Sequence, residues 1–176
     1  MPSTTRSGLV TRKAQVMVAD ALEDTRVVTI NGARQSGKST LAQIVAATLD
    51  PVRSLTLDDP VALRAAHDDP VGFIEHDGLL VIDEVQRAPG LFLPIKADVD
   101  ADPRPGRFLL TGSAHVLALK SLPDALPGRM ETIELWPFSQ GEITGTPDRF
   151  IDAAFADGAR LAGDSNLRRR DYIERA

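Results

Sequence analysis

Residues 31–40, "NGARQSGKST", constrain the fold of this chain more than any other stretch. Gly32 and the run Gly37, Lys38, Ser39 have the spacing Gly-x-x-x-x-Gly-Lys-Ser, directly after the apolar, β-branched "RVVTI" of 26–30. A strand entering such a loop has to turn sharply into a helix. Glycine at both ends of the loop permits backbone conformations and close approaches that a Cβ would block. The loop amides can then converge on an anion, and the N-terminus of the following helix adds partial positive charge. The predicted phosphate-binding set is Gly32, Ala33, Arg34, Gln35, Ser36, Gly37, Lys38, Ser39 and Thr40. In it, Lys38 carries a full charge to the β- and γ-phosphates, and Ser39 offers its hydroxyl to Mg²⁺. A simple Gly-containing turn with an exposed lysine would use the same letters, but a strand before and a helix after are what a phosphate loop requires.

The rest of the chain alternates strands with helices. Residues 13–24 read as a helix, 26–30 as a buried strand, and 39–49 as a helix with Leu41, Ile44, Val45, Thr48 and Leu49 on one face. "RSLTL" (53–57) and "GLLVIDE" (78–84) are further strands. Two short helices between them, around 60–67 and 70–76, begin at Pro60 and Pro70, each after an Asp cap. A helix over 90–100 turns Phe92, Ile95 and Val99 inward, and "RFLLTGS" (107–113) and the more alternating, edge-like "METIEL" (130–135) complete five strands. This order predicts an α/β fold, a mainly parallel five-stranded sheet with helices on both faces. Such sheets bind ligands beyond the carboxyl ends of their strands. The Gly loop, Asp58 and Asp59, Asp83 and Glu84, and Thr111 to Ser113 all fall at those ends.

"LLVIDE" buries Leu79 to Ile82 and delivers Asp83 at the strand tip, where a carboxylate can hold Mg²⁺ among waters. Glu84 is next to it, placed to take a proton from an attacking water. Thr111 and Ser113 offer hydroxyls to the γ-phosphate or that water, and a strand-end turn around Gly112 explains either alone equally well. Arg129, in the turn "LPGRM", is a candidate finger for transition-state charge in its own site or a neighbour's, or else a surface arginine. No Asn-Lys-x-Asp is present to read guanine, and no Gly-x-Gly-x-x-Gly for a dinucleotide. A net charge of -5, with only "LRRRD" (167–171) locally basic, gives nucleic acid no support as a partner. No apolar run reaches the roughly 20 residues of a membrane span. With no cysteine and no secretory h-region at the start, the expectation is a cytoplasmic protein.

The succession "TINGARQSGKST", "LTLDDP", "LLVIDEVQRAPGLF", "IKADVD", "RFLLTGSA", "LPGRM" and "ELWPFSQGE", from about residue 12 to 145, resembles AAA-type P-loop ATPases of bacteria and archaea that carry a C-terminal domain of unknown function. The resemblance implies a RecA/AAA-like P-loop NTPase core with a sensor strand between the Gly-loop strand and the Asp–Glu strand. It implies Lys38 and Ser39 on phosphate and Mg²⁺, Asp83 on Mg²⁺, Glu84 as base, and Thr111 or Ser113 as sensor. The family's Leu-Ala-Gly-Arg is here "LPGR", which loosens the transfer of a finger role to Arg129. The expected organisation is an ATPase core over 1–146, with 1–12 flexible, and the start of a truncated C-terminal helical region over 147–176. A homo-oligomer or the missing C-terminal domain are the expected partners. The expected activity is Mg²⁺-dependent ATP hydrolysis. The alternatives are a nucleotide-binding switch or interaction module with little turnover, and a small-molecule phosphotransferase, which the in-built base disfavours.

Overall fold

A computed structural model of the chain describes residues 10–113, 126, 128–146, 152, 155 and 156. The "LRRRD" cluster, most of the region expected over 147–176 and most of the expected flexible start lie outside the described residues. The elements are α1 (Ala14–Asp24), β1 (Val27–Gly32), α2 (Lys38–Ala46), β2 (Val52–Thr56), α3 (Pro60–Asp68), α4 (Pro70–Phe73), β3 (Leu79–Asp83), α5 (Phe92–Ala101), β4 (Phe108–Ser113), β5 (Met130–Leu135) and α6 (Gln140–Thr144). Two 3₁₀ turns, Val85–Arg87 and Pro89–Leu91, join β3 to α5. The chain divides into two compact units, residues 14–137 and residues 1–13 with 138–176. Among the described residues no helix is long and apolar enough to cross a membrane.

The first unit holds a five-stranded sheet in the order β2-β3-β4-β1-β5, every pair parallel. β1 is buried at all six positions, as a central strand covered on both faces must be. β4 separates β1 from β3, and β5 lies at the edge that its alternation predicts. The pleat sends successive side chains to opposite faces. Val27, Leu80, Ile82, Phe108 and Leu110 pack with Phe92, Ile95 and Val99 of α5. Val28, Ile30, Val81 and Leu109 pack with Val18 and Leu22 of α1 and Leu41 and Val45 of α2. Each fully buried side chain of this size contributes about 1.5–3 kcal/mol relative to exposure, which fixes the register of each strand.

The strands match their expected ranges to within one or two residues, β1 running on to Gly32, and three helix boundaries differ from expectation. α2 ends at Ala46, so its buried stripe is Leu41, Ala42, Val45 and Ala46, while Thr48 and Leu49 are exposed and Ile44 is half-buried. The two alanines are small enough to let the helix lie close on the sheet, and the larger residues beyond them are not needed. α4 stops at Phe73 rather than running to 76. The third boundary is at 90: a 3₁₀ turn precedes α5, and Pro94 falls in its first turn, where its missing N–H breaks no helical bond. The caps are as expected: Asp59 accepts from Val61 N at 2.9 Å and Asp69 from Gly72 N at 3.0 Å, with proline opening each helix.

In the second unit, Ser139 and Glu142 form a capping box at the start of α6. The Arg12 guanidinium stacks 4.1 Å from the centre of the Phe138 ring and donates to Glu142 Oε1 at 3.3 Å. Burial pushes the Glu142 carboxyl upward, but the Ser139 and Lys13 amides and the Arg12 charge outweigh it and hold the group below the usual range.

Candidate nucleotide site

The site grows from the junction of β1 and α2. A Cβ at Gly32 would sit 2.4 Å from the Leu135 carbonyl oxygen, so only glycine lets the end of β1 lie this close to β5. Gly37 caps α2 in the left-handed region at φ 89, which glycine adopts without strain. Gln35, also left-handed at φ 62, completes the curl. α2 therefore opens with Lys38, only 5 % exposed, whose Nζ donates to the Ala33 carbonyl at 2.7 Å.

Ser39, one residue on, donates from Oγ to Asp83 Oδ1 at 2.7 Å. The same carboxylate accepts from Thr111 Oγ1, and from Thr56 Oγ1 at 3.4 Å on Oδ2. Three hydroxyls from three elements thus fix one carboxylate. Thr111 Oγ1 in turn accepts the Glu84 backbone N–H at 3.3 Å. Glu84 itself is left-handed at φ 59, a costly conformation for a non-glycine residue and one that clusters at functional positions. Its Oε2 accepts from the Gln86 side-chain amide.

An open cavity of about 530 Å³ is lined by Arg34, Gln35, Gly37, Lys38, Ser39, Thr40, Asp58 and Glu84. Residues predicted from the Gly loop and from the Asp–Glu strand therefore meet around one space. Asp58 pairs with Arg87 at its wall, while Asp59 serves as the cap of α3. Ser36 is buried in the loop and Ala33 is exposed. Thr111 is wholly buried and its hydroxyl is engaged by Asp83 and Glu84, so it props the acids from behind instead of facing the cavity. Ser113, half-buried, lies beside Gly32 in register at the end of β4.

Arg129 is not brought into this site. It precedes β5, its carbonyl accepts from Val27 N at 3.2 Å, and its guanidinium pairs with Asp100, whose carboxyl is lowered chiefly by that hydrogen bond. Because β5 runs parallel to β1, this is the opposite end of the sheet from Gly32. A finger role of Arg129 in its own site does not fit that placement. Thr56 enters the sequence reading only as a letter of "LTLDDP" and Gln86 only as a letter of "LLVIDEVQRAPGLF", each without a role. The signal for Thr56 is its register opposite Asp83, which needs the strand order; Gln86 had the short spacing from Glu84.

A parallel sheet with this Gly loop between β1 and α2, and an Asp–Glu pair ending β3, defines the P-loop NTPase fold. The chain belongs to the AAA domain family, whose pattern matches residues 24–144. It is 35 % identical over 152 residues to uncharacterized proteins of Mycobacterium tuberculosis and Mycobacterium bovis, a match covering 86 % of this chain and 32 % of each relative. The chain thus spans about a third of the length of the curated relatives it matches. AMPPCP-bound DnaA from Aquifex aeolicus shares the fold at a TM-score of 0.55 and 16 % identity, over 94 % of this chain and 61 % of that one. A Walker-type ATPase of Pyrococcus abyssi does so at 0.53 and 15 % identity, over 82 % and 59 %.

Proposed function

We propose that this domain binds ATP with Mg²⁺ and hydrolyses it. The observation that carries the reading is the meeting of Lys38, Ser39 and Glu84 around one cavity, with Asp83 hydrogen-bonded to Ser39 behind it. Ser39 Oγ and the Asp83 carboxylate are hard oxygen donors 2.7 Å apart, a pair that suits a cation keeping most of its shell for water and phosphate. Mg²⁺ held there would neutralise charge on the β- and γ-phosphates. Lys38 exchanges the Ala33 carbonyl for phosphate oxygens, and the loop amides and the N-terminus of α2 orient the triphosphate. Glu84 takes a proton as the oxygen of a water attacks the γ-phosphorus and the bond to the bridging β–γ oxygen breaks, leaving ADP and phosphate.

The test is single-turnover hydrolysis by the chain and by Glu84→Gln. The variant is expected to lose roughly 10²- to 10⁴-fold in rate while still binding ATP. A wild type that hydrolyses nothing, even with the rest of a full-length relative present, would sink the reading. A second reading, an ATP-binding module with little turnover, draws on one observation: Arg129 lies at the far end of the sheet. Labelled ATP retained without release of phosphate would select it, and a partner copy or further domain would then have to complete the site.

A further inference from the structure

We propose that Gln86 is the positioning residue of the general base. The proposal rests on the hydrolytic reading and adds a residue to it. Gln86 sits in the 3₁₀ turn Val85–Arg87, which starts where Glu84 leaves β3 in the left-handed conformation. That turn brings the Gln86 side-chain amide back onto Glu84 Oε2. The other end of the same amide, Oε1, is buried and accepts no hydrogen bond from the described residues. Burying an unpartnered carbonyl opposes folding, and an apolar side chain of the same size would avoid that cost. Among the described residues the amide's bond is to the carboxylate that lines the cavity.

The consequence is directional. Glu84 is fixed at three points: its backbone N–H on Thr111, its carbonyl under the Arg87 N–H at 3.0 Å, and its Oε2 under Gln86. The amide leaves Oε1 as the oxygen for the water, and it holds the carboxylate in one rotamer without using a positive charge. Gln86 does not line the cavity, and its role is exerted through Glu84.

The test compares Gln86→Leu, with Gln86→Met as the unbranched alternative if Leu fails to fold, in wild-type and Glu84→Gln backgrounds. Single-turnover hydrolysis is expected to fall about 10- to 100-fold, the size of a misplaced reacting group. ATP affinity is expected to stay within roughly 2-fold, so the loss lies in the chemical step. In the Glu84→Gln background the second substitution should cost nothing more. A Gln86→Leu rate equal to wild type overturns the proposal, as does an equal loss in both backgrounds or a matching loss of affinity. The Gln86 side-chain amide resonances should also shift in Glu84→Ala, and resonances that do not move overturn it whatever the rates. An inactive wild type would sink the hydrolytic reading, and this proposal with it. An active wild type indifferent to Gln86 would sink the proposal alone.

Discussion

The two ends of the sheet hold their charges in different ways. At the amino ends of β4 and β5 three arginines meet carboxylates, while Arg53 at the start of β2 rests on the Phe73 and Glu75 carbonyls. Arg107, buried beside β4, pairs with Asp98 at 2.6 Å and with Asp102; Arg104 binds Asp102 at 2.6 Å; Arg129 binds Asp100. The hydrogen bond from Arg104 outweighs desolvation and holds the Asp102 carboxyl well below the usual carboxylate range. At the carboxyl ends, neutral groups hold the central charges. Lys38 rests on a carbonyl, Asp83 on hydroxyls, Glu84 on an amide, and among the described residues the ionic pair here is Arg87–Asp58 at the cavity wall. A charge neutralised by its partner has spent its field on the fold. One held by neutral dipoles keeps its field for a ligand, and can be redirected by breaking a weak bond. That contrast fits the proposed function, which puts the nucleotide at the carboxyl ends of the strands, and it owes nothing to any relative.

Lys38→Ala is the hardest blow to the chemical end. Removing an ammonium that would meet phosphate oxygens should weaken ATP binding roughly 10- to 100-fold, about 1.5–3 kcal/mol. Folding should be little affected, since among the described residues the side-chain bond lost is the one to the Ala33 carbonyl. Calorimetric titration alongside thermal unfolding measures both. A large drop in melting temperature with unchanged affinity would reverse the contrast and make Lys38 a structural residue.

Thr111→Val reaches both sides of the comparison with a smaller effect. The wholly buried hydroxyl bridges Asp83 and the Glu84 amide, and valine of the same shape leaves that N–H without its acceptor. The stability loss should be on the order of 1 kcal/mol. Single-turnover hydrolysis should also fall, because both acids lose a prop, whereas ATP affinity should hardly change. A variant that loses affinity and keeps its rate would place Thr111 on the nucleotide instead of behind the acids.

Much of this architecture could be read from the letters, for a physical reason. Strands covered on both faces must be apolar at nearly every position, so β1, β3 and β4 announce themselves, and β5 announces its edge by alternating. The Gly loop is legible because backbone geometry permits few residues at Gly32 and Gly37. The end of α2 was not, since Ala42 and Ala46 bury a helix face without looking hydrophobic enough to define one. Thr111 and Ser113 could not be told apart by sequence. The pleat puts Thr111, not its neighbour Gly112, on the face that carries Asp83, and the resulting hydroxyl–carboxylate bond exists only once β4 lies beside β3. Thr56 and Gln86 are ordinary polar residues until strand order and a 3₁₀ turn bring them to the acids.

Arg129 gives the finest test, because the expected effect within one chain is none. It stands before β5, beside Val27, while Leu135 at the other end of that strand pairs with Gly32. Five residue steps of strand span about 17 Å, farther than an arginine side chain extends. Its guanidinium is also engaged by Asp100. Arg129→Ala should therefore leave ATP hydrolysis per chain unchanged in dilute solution, and should shift thermal stability too little to resolve, as expected for a solvent-screened pair. The decisive measurement is the hydrolysis rate of wild type and variant across a range of protein concentrations. Parallel curves keep Arg129 among the structural charges. A deficit that appears only as chains crowd together would put this arginine in a neighbour's site and give the amino end of the sheet a share in the chemistry.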